Sequence, residues 1–337
     1  MIDLRSDTVT RPGAQMLEAM KAAAVGDDVF SEDPSVNELE EMAADMFGMQ
    51  SALYCPTGTM SNQIGIKCHT QPGDEIICEK NSHVYLYEGG GIAFNSGAQV
   101  KLIDGDRGQI TADQVKNAIN PDDLHKARTS LVSLENTANR GGGSCYDFGE
   151  IEAIRKICDE QKLALHLDGA RLFNAIVAKK ESSKTYGRVF DSISICLNKG
   201  LGCPIGSILI GERDFIRKAR RVRKVFGGGM RQAGFMAATG LFALKNNIER
   251  LELDHIHAKQ LESALIQKSF TGKILPVETN IVIFEVLAPY SAPGLVEKFK
   301  ASNIHCIAIS TNQIRLVTHL DISEQMIKDV IKCIEAL

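Results

Sequence analysis

Two apolar runs near the middle of the chain limit what it can fold into, because each delivers a charged side chain at its end. The first is Lys162-Leu-Ala-Leu-His-Leu-Asp168-Gly-Ala-Arg171. The second is Ser192-Ile-Ser-Ile-Cys-Leu-Asn-Lys199-Gly-Leu-Gly202-Cys-Pro204-Ile-Gly206, followed by Ser-Ile-Leu-Ile-Gly. Short, apolar and stopped by glycine or proline, each predicts a buried strand. In open α/β sheets, ligands bind outside the carboxyl ends of such strands. Further runs at 51–55, 75–78 and 129–137 alternate with helical patterns such as 148–161. That alternation predicts an α/β fold, a mainly parallel sheet with helices on its faces. Around Asn246 the character changes to a long charged amphipathic helix, 247–267, then strands at 279–285 and 313–319 and a closing helix at 323–337. The expected division is an N-terminal arm and large domain over 1–245 and a small C-terminal domain over 246–337.

A lysine ending a core strand becomes an amine nucleophile where desolvation lowers its pKa, and carbonyl compounds such as pyridoxal phosphate (PLP) are its usual partners. Such a cofactor needs an acid on its pyridine nitrogen so that the ring can withdraw electrons. Lys199 and Asp168 supply the two groups. Taken singly, each has a plainer explanation, a solvated strand-end lysine and a turn.

Composition excludes other classes. With 44% hydrophobic and 24% charged residues and a net charge of -4, the chain carries no footprint for nucleic acid. No apolar run approaches a membrane span, and Met1-Ile-Asp-Leu-Arg lacks a signal core. The cysteines at 55, 68, 78, 145, 158, 196, 203, 306 and 333 contain no Cys-x-x-Cys. They predict neither a metal site nor a disulfide framework, and they point to a reducing, cytoplasmic setting.

Other stretches add candidates. Asp33-Pro34-Ser35-Val-Asn-Glu38 reads as a helix start capped by Ser35 with Glu38 closing a capping box. Pro56-Thr57-Gly58-Thr59 opens a helix directly after a strand, and unpaired N–H groups there suit a phosphate. Arg213 to Lys224 crowd one helix, read as a solvated face.

The stretches LHLDGARLFNA and ICLNKGLGCPIGS, with LRSDTVTRP near the start and FGGGMRQAG later, resemble the low-specificity L-threonine and L-allo-threonine aldolases of the PLP-dependent β-eliminating lyases. The resemblance runs from Leu4 to His319. It implies the PLP-dependent transferase fold of type I (aspartate aminotransferase-like), with a small α+β C-terminal domain. It also implies that Lys199 carries PLP, with Asp168, Arg171, Gly58 and Thr59 binding the cofactor and His83 stacking on its ring. Arg231 would reach the phosphate region of a neighbouring subunit. Ser6, Arg171 and Arg315 would hold the substrate carboxylate beneath a folded-over arm, although Arg171 could equally be a partner of Asp168. His83 and His125 are the candidate general bases, with Glu88 a third. A homo-oligomer follows, a dimer or the homotetramer, with sites shared between subunits.

The implied reaction is retro-aldol cleavage of L-threonine, L-allo-threonine and related β-hydroxy-α-amino acids to glycine and an aldehyde. The alternatives are another PLP reaction in the same site (racemisation, β-elimination or transamination) and a non-catalytic subunit. The match has departures: Phe30-Ser31 replaces Tyr-Gly, Ala138 stands where a histidine is usual, and Asn198 replaces a serine. Ala138 bears on substrate preference and rate.

Overall fold

The computed structural model describes residues 1–337. Its largest sheet has seven strands in the order Ser51–Cys55, Ser207–Gly211, Ser192–Cys196, Ala164–Gly169, Thr129–Glu135, Glu75–Glu79 and Gln99–Ile103. Ser207–Gly211 runs antiparallel to both neighbours, and every other pairing is parallel. The segment between Cys196 and Ser207 is too short for a parallel crossover, so the chain turns straight back. Four of the strands are buried along their whole length, which is why their sequences are continuous apolar runs rather than alternating ones.

Two hydrophobic cores meet within the helix Leu251–Ile266. Leu251 belongs to the first, of 43 buried residues; Ala258, Leu261 and Leu265 belong to the second, of 20. The second core lies against a four-stranded antiparallel sheet, Ile307–Ala308, Gln313–Val317, Ile281–Val286 and Thr271–Ile274. Leu4, expected with the large domain, is buried in this second core. Its backbone N–H donates to His305 C=O at 2.8 Å and its C=O accepts from Val317 N–H at 2.9 Å, so the arm starts in the small sheet and crosses to the large one. No helix is long and apolar enough to cross a membrane.

Three local expectations change. The helix Pro34–Phe47 is capped by Asp33, whose carboxylate accepts from Val36 N–H at 3.1 Å, whereas Ser35 Oγ donates to Ala24 C=O. Proline suits the first helical position because it has no N–H to satisfy, and that moves the cap two residues back, from Ser35 to Asp33. The long amphipathic helix begins at Leu251 rather than Asn247. The basic helix Arg213–Val225 is not wholly solvated: Arg223 is buried, donating to Tyr54 C=O and to Asp28, and Arg220 pairs with Glu40.

Candidate active site

The carboxyl edge of the parallel strands gathers an unusual density of buried charge. Asp168 and Glu135 are register partners on adjacent strands, and both are buried. Asp168 Oδ1 accepts from Ala170 N–H at 3.1 Å, while Oδ2 is buried without a partner. Glu135 accepts from the N–H groups of His83 at 2.7 Å and Asn139 at 2.8 Å. Burial and the neighbouring Asp168 charge nevertheless push its carboxyl up to about 7. Lys199, in the turn after Ser192–Cys196, is half-buried, with Nζ 3.7 Å from the buried Cys196 Sγ.

The arm closes over this edge. Thr10 Oγ1 donates to Lys199 C=O at 3.1 Å, and Ser6 Oγ caps the following turn by accepting from Thr8 N–H at 3.2 Å. Between them Asp7 is fully buried and receives a two-pronged bond from Arg171, Nε and Nη2 each at 2.7 Å. Arg171 is thus a partner of Asp7, not of Asp168, and its remaining N–H donors are unspoken for. Burial raises the Asp7 carboxyl, but Arg171 and Lys199 outweigh it and hold it at about 2. Arg315, half-buried on Gln313–Val317, donates to Asn139 Oδ1 at 2.8 Å and Arg5 C=O at 3.1 Å; its Nε has no partner. Burial and the nearby Arg171 charge lower it to about 10, so the two guanidiniums crowd one another.

On the other side stands His83, at the start of the short helix His83–Leu86, with Nδ1 3.0 Å from Glu88 Oε1. Burial lowers its pKa, but the Glu88 bond and Asp168 more than compensate and raise it. Ligand-type atoms of His83, Glu88 and Asp168 lie within 4.8 Å of one another. Both Glu88 oxygens already accept from Asn62 and Gln63, so the trio is a hydrogen-bonded set rather than a metal centre.

The helix Gly58–His69 starts beside this group. Thr57 Oγ1 accepts from Met60 N–H at 3.1 Å, and the N–H groups of Gly58 and Thr59 precede the first intrahelical bond. A Cβ on Gly58 would lie 2.5 Å from Cys196 Sγ, so only glycine lets this helix start come so near the Lys199 turn. Ser61 ties the helix to the sheet through Ser194 at 2.5 Å and Ser207 at 2.7 Å.

Not every predicted residue arrives. His125 lies in the loop before Thr129–Glu135, hence at the amino edge of the sheet, its side chain 80% exposed and bound to Asp123 at 2.9 Å. A seven-residue strand spans roughly 23 Å, so His125 cannot serve the site of its own chain. Arg231 is exposed, paired with Asp27 at 2.9 Å and set over the exposed Phe30 ring. Ala138 is buried beside Gly108, where an added Cβ would come within 2.6 Å of the Ala138 Cβ.

Asp7, Glu135, Asn62 and Gln63 have no role in the sequence reading, and Glu88 stands there only as a third candidate base. Glu135 ends a buried apolar run just as Asp168 does, so the same rule finds it. Asp7 gave only a weak signal, one carboxylate in a polar arm.

The β-eliminating lyase family model matches residues 3–288. A low specificity L-threonine aldolase of Escherichia coli (strain K12) is 44% identical over 331 residues, covering 98% of this chain and 97% of that protein. The low-specificity L-threonine aldolase of Candida albicans is 38% identical over 338 residues, covering 98% and 88%. Among solved structures, a threonine aldolase of Leishmania major aligns with a TM-score of 0.86 at 19% identity, covering 100% of this chain and 99% of that one, a likeness of fold.

Proposed function

The chain belongs to the β-eliminating lyase family and is a lyase of the type I fold, and from that premise we infer that it cleaves L-threonine and L-allo-threonine, with PLP, to glycine and acetaldehyde. The single observation that carries the reading is the buried edge where Lys199, Asp168, His83, Arg171 and Arg315 converge. The residues fit the cofactor. The unpartnered Asp168 Oδ2 suits a protonated ring nitrogen, the free N–H groups of Gly58 and Thr59 suit a phosphate, and Gly58 provides the close approach. Once bound, PLP supplies an electrophilic carbon for an amine and a ring that stabilises negative charge at the substrate Cα.

The chain's own residues do the rest. Lys199 Nζ holds the cofactor and moves a proton. Arg171, pinned by Asp7, and Arg315 would orient the substrate carboxylate, with Ser6 beside them, and so hold the Cα–Cβ bond for cleavage. Both arginines keep uncommitted N–H groups for this. His83 accepts the β-hydroxyl proton, directly or through a water, which lets that bond break. The arm excludes water over the edge.

A homo-oligomer with shared sites is part of the reading. Exposed Phe94 and Val225 flank Thr57 and Thr59, and Phe30 and Arg231 project together from the glycine-rich loop region. Such exposed apolar groups beside a phosphate cup support burial by a second copy, and Arg231 then acts on the partner's site. His125 contributes only in the same way. The free cysteines support a cytoplasmic setting.

The test is aldehyde release from each substrate by PLP-loaded protein. Acetaldehyde is expected, and Lys199→Ala is expected to lose the yellow chromophore together with activity, about a thousandfold or more. A yellow wild-type protein that releases no aldehyde moves the reading to another amino-acid reaction. An unchanged Lys199→Ala spectrum removes the site assignment.

A further inference from the structure

We propose that Glu88 is a positioning residue for the cleavage: it fixes His83 as the Nδ1–H tautomer, and a buried chain of donors through Asn62, His166, Ser192 and His69 holds the Glu88 carboxylate in place.

The direction of every link follows from what each group can donate. Glu88 accepts from Asn62 Nδ2 at 2.9 Å and Gln63 Nε2 at 2.6 Å. With its amide nitrogen so used, Asn62 faces His166 through Oδ1, which accepts from His166 Nε2–H at 3.3 Å. His166 then accepts at Nδ1 from the Ser192 hydroxyl at 2.8 Å, and Ser192 Oγ accepts from His69 Nε2–H at 2.8 Å. Burial lowers His166 to about 3 and His69 to about 4, so both rings are neutral near pH 7 and have one proton each to place. Gln63 is fixed in turn, because its Oε1 accepts from Asn95 Nδ2 at 3.2 Å.

Two glycines make room for this arrangement. A Cβ on Gly65 would lie 2.8 Å from His166 Cε1, and one on Gly91 would lie 2.6 Å from the Gln63 amide carbon. Both amide donors of the helix Gly58–His69 therefore aim at one carboxylate, and its remaining contact is His83 Nδ1. A carboxylate only accepts, so His83 donates from Nδ1 and keeps Nε2 as its lone-pair nitrogen. Glu88 thus acts through His83 and is not itself the base.

The other groups facing His83 are Asp168, Lys199, the Glu135 carboxylate at its backbone N–H, and the Tyr87 ring at 5.7 Å. The inference rests on the proposed reaction only for the step it serves; the tautomer is a property of the chain itself.

Histidine labelled with ¹³C and ¹⁵N, with the His83 resonances assigned by loss in His83→Gln, reads the tautomer directly in the wild-type protein. Mainly Nδ1–H is expected, and mainly Nε2–H overturns the proposal without any Glu88 variant having to fold. In Glu88→Gln the His83 titration is expected to move to lower pH. In the PLP-loaded enzyme kcat is expected to fall ~10-fold or more with KM within ~3-fold, a part of what a placed base contributes, and the acid limb of kcat/KM should move the same way. An unchanged titration and kcat also overturn it. If the tautomer and titration behave as expected while the wild-type protein releases no aldehyde, the reaction assignment fails and the positioning stands.

Discussion

The two edges of the large sheet carry nearly the same pairs of side chains in nearly the same geometry. At the carboxyl edge His83 meets Glu88 at 3.0 Å and Arg171 meets Asp7 at 2.7 Å. At the amino edge His125 meets Asp123 at 2.9 Å and Arg128 meets Asp74 at 2.8 Å. Distance does not distinguish them; water does. The side chains of Arg171 and Asp7 are 5% and 0% exposed, against 67% for Arg128. Its partner Asp74 is itself only 8% exposed, but a pair whose arginine stands in solvent is screened and contributes little. Under the arm the charges have only each other, so their protons and orientations become specific.

The largest effect should come from breaking the buried arginine pair. Asp7→Asn leaves the Arg171 charge without its carboxylate and is expected to cost about 3–5 kcal/mol of stability, whereas Arg128→Gln should cost about 1 kcal/mol or less; denaturant midpoints of the two variants would separate them. Asp7 lies at about 2 in the folded chain against an ordinary 3.8, so its contribution is complete above about pH 4 and is lost as the pH falls towards 2. A wild-type protein whose stability stays flat through that window would erase the contrast.

Glu135 should show the opposite slope. Its folded value of about 7 stands above the ordinary 4.5, so the folded chain holds the proton more tightly and ionisation costs stability as pH rises from about 4.5 to 7. The cost amounts to roughly 3 kcal/mol at most. Glu135→Gln is expected to flatten thermal stability over that range. An unaltered slope would mean that the carboxyl edge is better solvated than its burial implies.

The histidines sharpen the comparison by rate. His83→Ala is expected to lower kcat/KM for aldehyde release ~100-fold, the lower end for a placed general base. His125→Ala, assayed in the same assembled enzyme, should lower it less, by under ~10-fold, because it reaches a site only across a subunit boundary. Comparable losses under those conditions would break the division between the edges. Gly58→Ala is expected to cost less than the buried charge changes, about 1–3 kcal/mol from pushing Cβ onto Cys196 Sγ, read as a lower melting temperature and weaker PLP retention.

Much of this was legible in the chain. The apolar runs ending in Asp168 and Lys199 announced both the sheet and the edge that matters, because a buried strand must exclude polar groups until it emerges. Glu135 obeys the same rule. His125, a candidate base by resemblance, is where chain order argues the other way: a loop preceding a strand of a parallel sheet opens at the amino edge, opposite the ligand side. Cap and helix boundaries were less legible where two acceptors competed, as with Asp33 and Ser35, because proline decided which residue came first in the helix.

What the sequence by itself determined, then, is the set of strands, their continuous burial and the charged residues at their ends, all consequences of local apolar pattern and chain direction. The tertiary structure alone decided the pairings. Arg171 finds Asp7 at a separation of 164 residues, and His166 finds Asn62 at 104. No local pattern specifies such partners. They are selected because, once the strands and the arm are packed, a buried donor has only one acceptor within reach.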